Sequence, residues 1–141
     1  MAIRFSYADR RLDLNDKRKI QKFVTFLFAS EGKEPGAINY VFCSDEFLLD
    51  LNKRFLDHDY YTDIITFDLS AGPGHVDAEI YISVDRVKDN ATVNDSDFTS
   101  EMLRVIFHGA LHLCGFKDKT ISESGVMRNK EEQYLRLYMK S

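Results

Sequence analysis

Apolar and polar residues alternate over residues 3–7, the period-two pattern of a half-buried strand. The period then changes: Ile20, Phe23, Val24 and Leu27 fall at i, i+3, i+4, i+7 and predict a helix opening at Asn15 or Asp16, with Gly32 and Pro35 to terminate it. Residues 38–43 form a second apolar run. Ser44 is a good N-cap for a helix carrying Phe47, Leu48, Leu51 and Phe55. Residues 64–69 and 79–84 are rich in β-branched and aromatic side chains and are separated by Ala71-Gly72-Pro73-Gly74, which predicts an antiparallel pair. A short helix from Asp85, a longer one over 98–114 and a C-terminal one to about Tyr138 complete the pattern. Strands interleaved with helices, plus one hairpin, imply an α+β domain: a small mixed four-stranded sheet covered by about five helices.

The helix over 98–114 differs from the others in how little polar surface it has. At about 100° per residue, Glu101, Arg104, His108 and His112 share one narrow stripe, while Met102, Leu103, Val105, Ile106, Phe107, Leu111, Leu113 and Cys114 fill the remainder. A helix so apolar around its circumference is central and buried. Two histidines four apart on its single polar stripe have Cβ atoms roughly 5–6 Å apart, so both imidazoles can reach one small cation. Gly115 then ends the helix, and the turn can bring back Asp118. Two histidines and a carboxylate form a zinc set that leaves a fourth position open, although nickel or manganese is tolerated.

Composition narrows the class. At 141 residues, 44 % hydrophobic and 30 % charged, the chain suits one cytoplasmic domain spanning residues 1–141. Arg4, Asp9, Arg10 and Arg11 interrupt any apolar leader, and the longest apolar stretches, such as 24–29, are far below a membrane span. Two distant cysteines make no disulfide framework, and the helical wheel turns Cys114 away from the histidines. Among hydrolytic zinc chemistries, peptide hydrolysis fails because the glutamate of H-E-x-x-H is Gly109 here. A zinc deaminase would need a glutamate two places after its histidine and a P-C-x-x-C pair, and neither is present. Phosphodiester hydrolysis remains.

The stretch His108-Gly109-Ala110-Leu111-His112-Leu113-Cys114-Gly115-Phe116 resembles the H-G-x-L-H-L-x-G-aromatic motif of the YbeY family of metal-dependent endoribonucleases. Upstream, Leu51-Asn52 and Thr62-Asp63-Ile64-Ile65-Thr66-Phe67 are similar to that family's L-N and T-D-V-L-S-F elements, so the resemblance covers most of the chain. It implies His108, His112 and Asp118 as ligands of one Zn2+, with aspartate where the family usually has a third histidine. It also implies cleavage of single-stranded RNA in 3′-end maturation of small-subunit (16S) ribosomal RNA and in ribosome quality control, with no membrane or DNA partner. Two positions depart from the pattern. The family's arginine between the L-N and T-D elements aligns with Leu56, which leaves Arg54 as a substitute catalytic cation, and the family's G-D-I aligns with Ala78-Glu79-Ile80.

The net charge of −4, from 19 basic and 23 acidic residues, does not mark a nucleic-acid binder, so RNA contact needs a local positive track. Lys117 and Lys119, which bracket Asp118, are the first candidates for substrate binding, with His58 in the segment before Thr62. Arg104, Arg128, Lys130 and Arg136 are further cations whose ordinary role is a solvated surface charge. The alternative is a non-catalytic, zinc-stabilised module that docks on the ribosome. That reading requires a fourth protein ligand to close the site, with His58 and His75 unassigned.

Overall fold

Val76, Ala78, Ile80 and Ile82 all face one side of a strand, and that side is the core. The computed structural model describes residues 2–141, and in it this strand, β4 (His75–Ser83), is one of the two inner strands of a four-stranded sheet. The others are β1 (Ile3–Tyr7), β2 (Glu34–Cys43) and β3 (Ile64–Asp68), in the order β1-β2-β4-β3. β1 and β4 both run parallel to β2, and β3 is antiparallel to β4. Among the described residues there are five helices: α1 (Lys17–Ser30), α2 (Asp45–Leu56), α3 (Val84–Val93), α4 (Phe98–Leu113) and α5 (Ile121–Lys140). The α+β class, the mixed sheet and the number of helices are as the apolar pattern predicts. None of the helices is long and apolar enough to cross a membrane.

β2 and β4 begin at residues 34 and 75, rather than at 38 and 79 as the apolar runs suggest. The extra segments pair with each other, Glu34 with His75 and Pro35 with Val76, and the register then shifts before Ile38. Proline is tolerated there because the ladder is already interrupted. The Asp77 carboxylate accepts the freed Ala37 N–H at 2.8 Å.

The two faces of the sheet are unequal. Residues of α1, α3, α4 and α5 pack with Ile3, Ile38, Tyr40, Phe42, Ile80 and Ile82 in the main core. α2 covers only a small cluster of Cys43, Leu48 and Ile65 on the other face. For that reason Phe47 and Phe55, which the helical pattern assigns to a buried face, remain 37 % and 65 % exposed. They pack at the rim instead, Phe47 stacked on Tyr81 and Phe55 edge-on to Phe67.

α4 lies deepest. Its buried residues surround it on most sides, and Tyr40, wholly buried in β2, donates its hydroxyl to the Ile106 carbonyl at 2.8 Å. A Cβ at Gly109 would come within 3.0 Å of Ile64 Cδ1 and 3.2 Å of Ile80 Cγ2. Glycine at this position therefore lets α4 settle directly onto β3 and β4, which sets the edge strand beside the polar stripe of the helix.

Candidate active site

Glu101, Arg104, His108 and His112 all line one cavity of about 730 Å³ between α4, α5, β3 and the loop that follows α2. The stripe predicted from helical spacing is thus one wall of this cavity. Asp97 caps the start of the helix, its carboxylate accepting the Ser100 N–H at 2.8 Å. The other end closes on a Schellman motif, in which Phe116 N donates to Leu111 O at 3.1 Å and Gly115 N to His112 O at 3.0 Å. Gly115 takes φ +105°, a conformation that side chains disfavour.

This turn returns Asp118 to the cavity. Its Oδ2 lies 3.2 Å from His108 Nε2, and its backbone carbonyl accepts the Ser124 hydroxyl at 2.9 Å, which ties it to the first turn of α5. At 3.2 Å the two groups are in direct ion-pair contact, and a tetrahedral zinc at about 2.0–2.2 Å from each would need them only slightly further apart, at roughly 3.3–3.5 Å. His112 is exposed on the same wall, one turn along. Among the described residues no three His, Cys, Asp or Glu side chains converge into a ready-made cage, so His112 is not drawn in to the pair. Nitrogen and carboxylate donors on one polar wall are nonetheless the chemistry a divalent transition metal takes.

Glu131 of α5 was not singled out by the sequence reading. Its Oε2 sits 2.7 Å from His108 Nδ1, and its side chain is 8 % exposed. A carboxylate at Nδ1 is the partner by which metal-ligating histidines are commonly oriented so that Nε2 faces the metal. Burial acts to lower the pKa of His108, but Glu131 and then Asp118 outweigh it and raise the value above the ordinary one. The signal was available in the sequence: Met127, Tyr134, Leu135 and Tyr138 form the buried stripe of α5, and Glu131 lies in the middle of it.

Asp63, from the T-D element, also lines the cavity. Burial raises its pKa, with the charge of His108 acting in the opposite direction. Asn52, from the L-N element, is 2 % exposed and holds the loop after α2: its side-chain amide donates to Tyr60 O at 2.9 Å, and its backbone carbonyl, at the end of the helix, accepts His58 N at 3.1 Å. His58 and Tyr60 consequently line the cavity.

The expected cations divide. Lys119 and Arg128 line the cavity, and neither forms an ion pair among the described residues. Lys117 is exposed outside it. Arg104 lines it, but its guanidinium is paired with Glu131 at 3.3 Å and with Glu132. Arg54 lies elsewhere, its Nε 3.1 Å from Asp50 on the exposed side of α2. Leu56, two residues on, does reach the cavity, because two helical steps of about 100° turn the two side chains to opposite sides. Cys114 packs against the core, His75 lies 3.8 Å from Asp77 at the start of β4, and Glu79 is bonded by the Tyr81 hydroxyl at 3.3 Å. None of these three lines the cavity.

The family model described as Endoribonuclease YbeY matches residues 3–139. Similar proteins include the Endoribonuclease YbeY of Cytophaga hutchinsonii, 47 % identical over 133 residues that span 94 % of this chain and 93 % of that one. The Endoribonuclease YbeY of Flavobacterium psychrophilum is 40 % identical over 136 residues, 96 % of each chain. A solution structure of a Thermotoga maritima protein superposes with a TM-score of 0.63 at 26 % identity, covering 96 % of this chain and 88 % of that one.

Proposed function

The chain belongs to the YbeY endoribonuclease family, and from that premise we propose that it is a zinc-dependent, single-strand-specific endoribonuclease. In this reading it acts in the cytoplasm on the 3′ end of small-subunit ribosomal RNA and in ribosome quality control. The observation that carries the proposal is the His108–Asp118 pair, with Nε2 and Oδ2 3.2 Å apart in a cavity of about 730 Å³.

His108, His112 and Asp118 would hold the ion. When bound, it supplies Lewis acidity, acidifying water and polarising a phosphoryl oxygen. The protein does the rest. Glu131 fixes the His108 tautomer so that Nε2 faces the cavity as an acceptor. Lys119 and Arg128 draw the phosphodiester in and offset its charge, a task that falls to them because Arg104 is neutralised by its glutamates and Leu56 brings none. Asp63, which burial makes harder to ionise than an exposed aspartate, lines the same cavity and is the candidate to protonate the leaving oxygen.

Elemental analysis of the purified protein, alongside cleavage of single-stranded RNA with and without chelator, tests this in wild type and His108→Ala. Near-stoichiometric metal and cleavage that both disappear in His108→Ala are the expected result. Tightly held, non-exchanging metal without cleavage would replace the enzyme by the structural module, and cleavage that survives in His108→Ala would overturn the site.

A further inference from the structure

The mouth of the cavity carries aromatic surface that the fold does not use. Tyr60 is 55 % exposed, and neither it nor His58 belongs to either apolar cluster of the domain. Their rings lie against each other, with centroids 5.0 Å apart and planes within 23°, and Tyr60 Oη is 2.9 Å from His58 Nδ1. The two rings are therefore held together as a stacked pair. What secures them is the backbone: the loop leaves α2 through Asp57 at φ +54°, His58 N donates to the Asn52 backbone carbonyl, and Tyr60 O accepts from the buried Asn52 side chain. Burying an amide costs free energy unless its bonds are made. Here the side-chain amide makes its bond to Tyr60 O and so holds a water-facing aromatic pair in the cavity that His108 and Asp118 also line.

We propose that the His58–Tyr60 pair is a nucleobase subsite, a platform on which one unpaired base of the substrate stacks while its neighbouring phosphate lies against His108 and Asp118. The proposal rests on the ribonuclease reading above and adds what the site requires of its RNA. A partner for an exposed ring pair must be planar and aromatic. It must also carry negative charge, because Lys119 and Arg128 on the same cavity are free of ion pairs among the described residues. A nucleotide meets both conditions, and Leu56, 42 % exposed on the same wall, offers its ring an apolar edge.

Two consequences follow from the chemistry. A base inside a duplex has both faces covered, so only a splayed base can stack on a side chain, which selects single strands. The Tyr60 hydroxyl is already engaged by His58, so the pair offers a π face rather than a hydrogen-bonding edge. Its preference should then follow stacking area, purines over pyrimidines, and not base identity.

The test is steady-state cleavage of a short oligoadenylate by the metal-loaded protein, with a single abasic nucleotide moved along the substrate. Loss of one stacked base costs about 1–3 kcal/mol, so Tyr60→Ala should raise KM roughly 5–150-fold and leave the melting temperature at the wild-type value. Tyr60→Phe keeps the ring and should stay within about threefold. At one position the abasic substitution should impair wild type as much as Tyr60→Ala does, and should add nothing in Tyr60→Ala. Wild-type KM in Tyr60→Ala overturns the subsite and leaves the ribonuclease intact. Equal losses in Tyr60→Ala and Tyr60→Phe, or fully additive losses at every abasic position, overturn it as well. A wild-type protein that cleaves no RNA overturns the subsite together with the reading beneath it.

Discussion

Glu131 Oε2 and His108 Nδ1 are 2.7 Å apart, joining the middle of α5 to the middle of α4 at the back of the cavity. The same carboxylate takes Arg104 on its other oxygen, at 3.3 Å. It therefore neutralises a cation and orients an imidazole in one place.

Glu131→Gln tests that double role. The amide keeps the shape, but it cannot hold the Nδ1 proton as a carboxylate does. Loss of such an outer partner typically weakens metal binding 10–100-fold. Zinc affinity, measured by competition with a chromophoric chelator, should fall within that range while the protein stays folded. Unaltered affinity would mean that Glu131 serves packing and Arg104 alone.

The stripe of Glu101, Arg104, His108 and His112 was legible because helical period is a local property: four positions within 12 residues decide it. Gly115 and Asp118 were legible for the same reason. Glu131, Asn52 and Tyr60 were not, since their meaning lies in partners that only the fold supplies. Glu131 acts on a residue 23 positions away in another helix, and Asn52 acts through the backbone of a loop. Arg54 lies outside the cavity for the opposite reason: nearness in sequence to Leu56 is distance around a helix. The early parts of β2 and β4 escaped because each is held by its pairing with the other, and Pro35 and Gly36 suppress the local strand pattern.

Asp63 predicts a pH dependence. Its folded-state pKa is raised above the ordinary 3.8 by burial, so the folded protein binds the proton more tightly than the unfolded chain does. The stability this contributes is full below about pH 3.8 and is lost as pH rises through the folded value. Above that, the ionised carboxylate is a burden. In metal-free protein Asp63→Asn should melt higher than wild type at neutral pH, the advantage shrinking as pH falls towards 3.8. In metal-loaded protein it should cleave RNA more slowly. A melting difference that is constant with pH would remove the raised pKa from the account.

The division of cations can be read from salt dependence. Each phosphate neutralised on a single strand contributes about 0.7 to the slope of log K against log salt. Lys119→Ala and Arg128→Ala should each lower the slope for a single-stranded oligomer by roughly that amount. Arg54→Ala should leave the slope where it was, its charge being paired with Asp50 away from the cavity. A reduced slope in Arg54→Ala would bring α2 into the RNA path.

Asp118 supplies the last prediction. It holds the position at which the family resemblance implies a third histidine, and the proposed ligand set has one hard oxygen beside two imidazole nitrogens. Carboxylate suits manganese and magnesium, whereas imidazole favours zinc and nickel. Asp118→His should therefore keep zinc but lose manganese, so that the ratio of their dissociation constants moves at least about tenfold towards zinc. Geometry is what the substitution strains, because imidazole is longer than carboxymethyl and the loop is fastened at Asp118 O by Ser124. Strain alone would weaken both metals together, whereas a change of donor atom weakens them unequally. Titrating both ions into wild type and Asp118→His separates the two effects. Parallel losses would show that the turn is fitted to the shorter arm, and unaltered affinity for both would remove Asp118 from the ligand set.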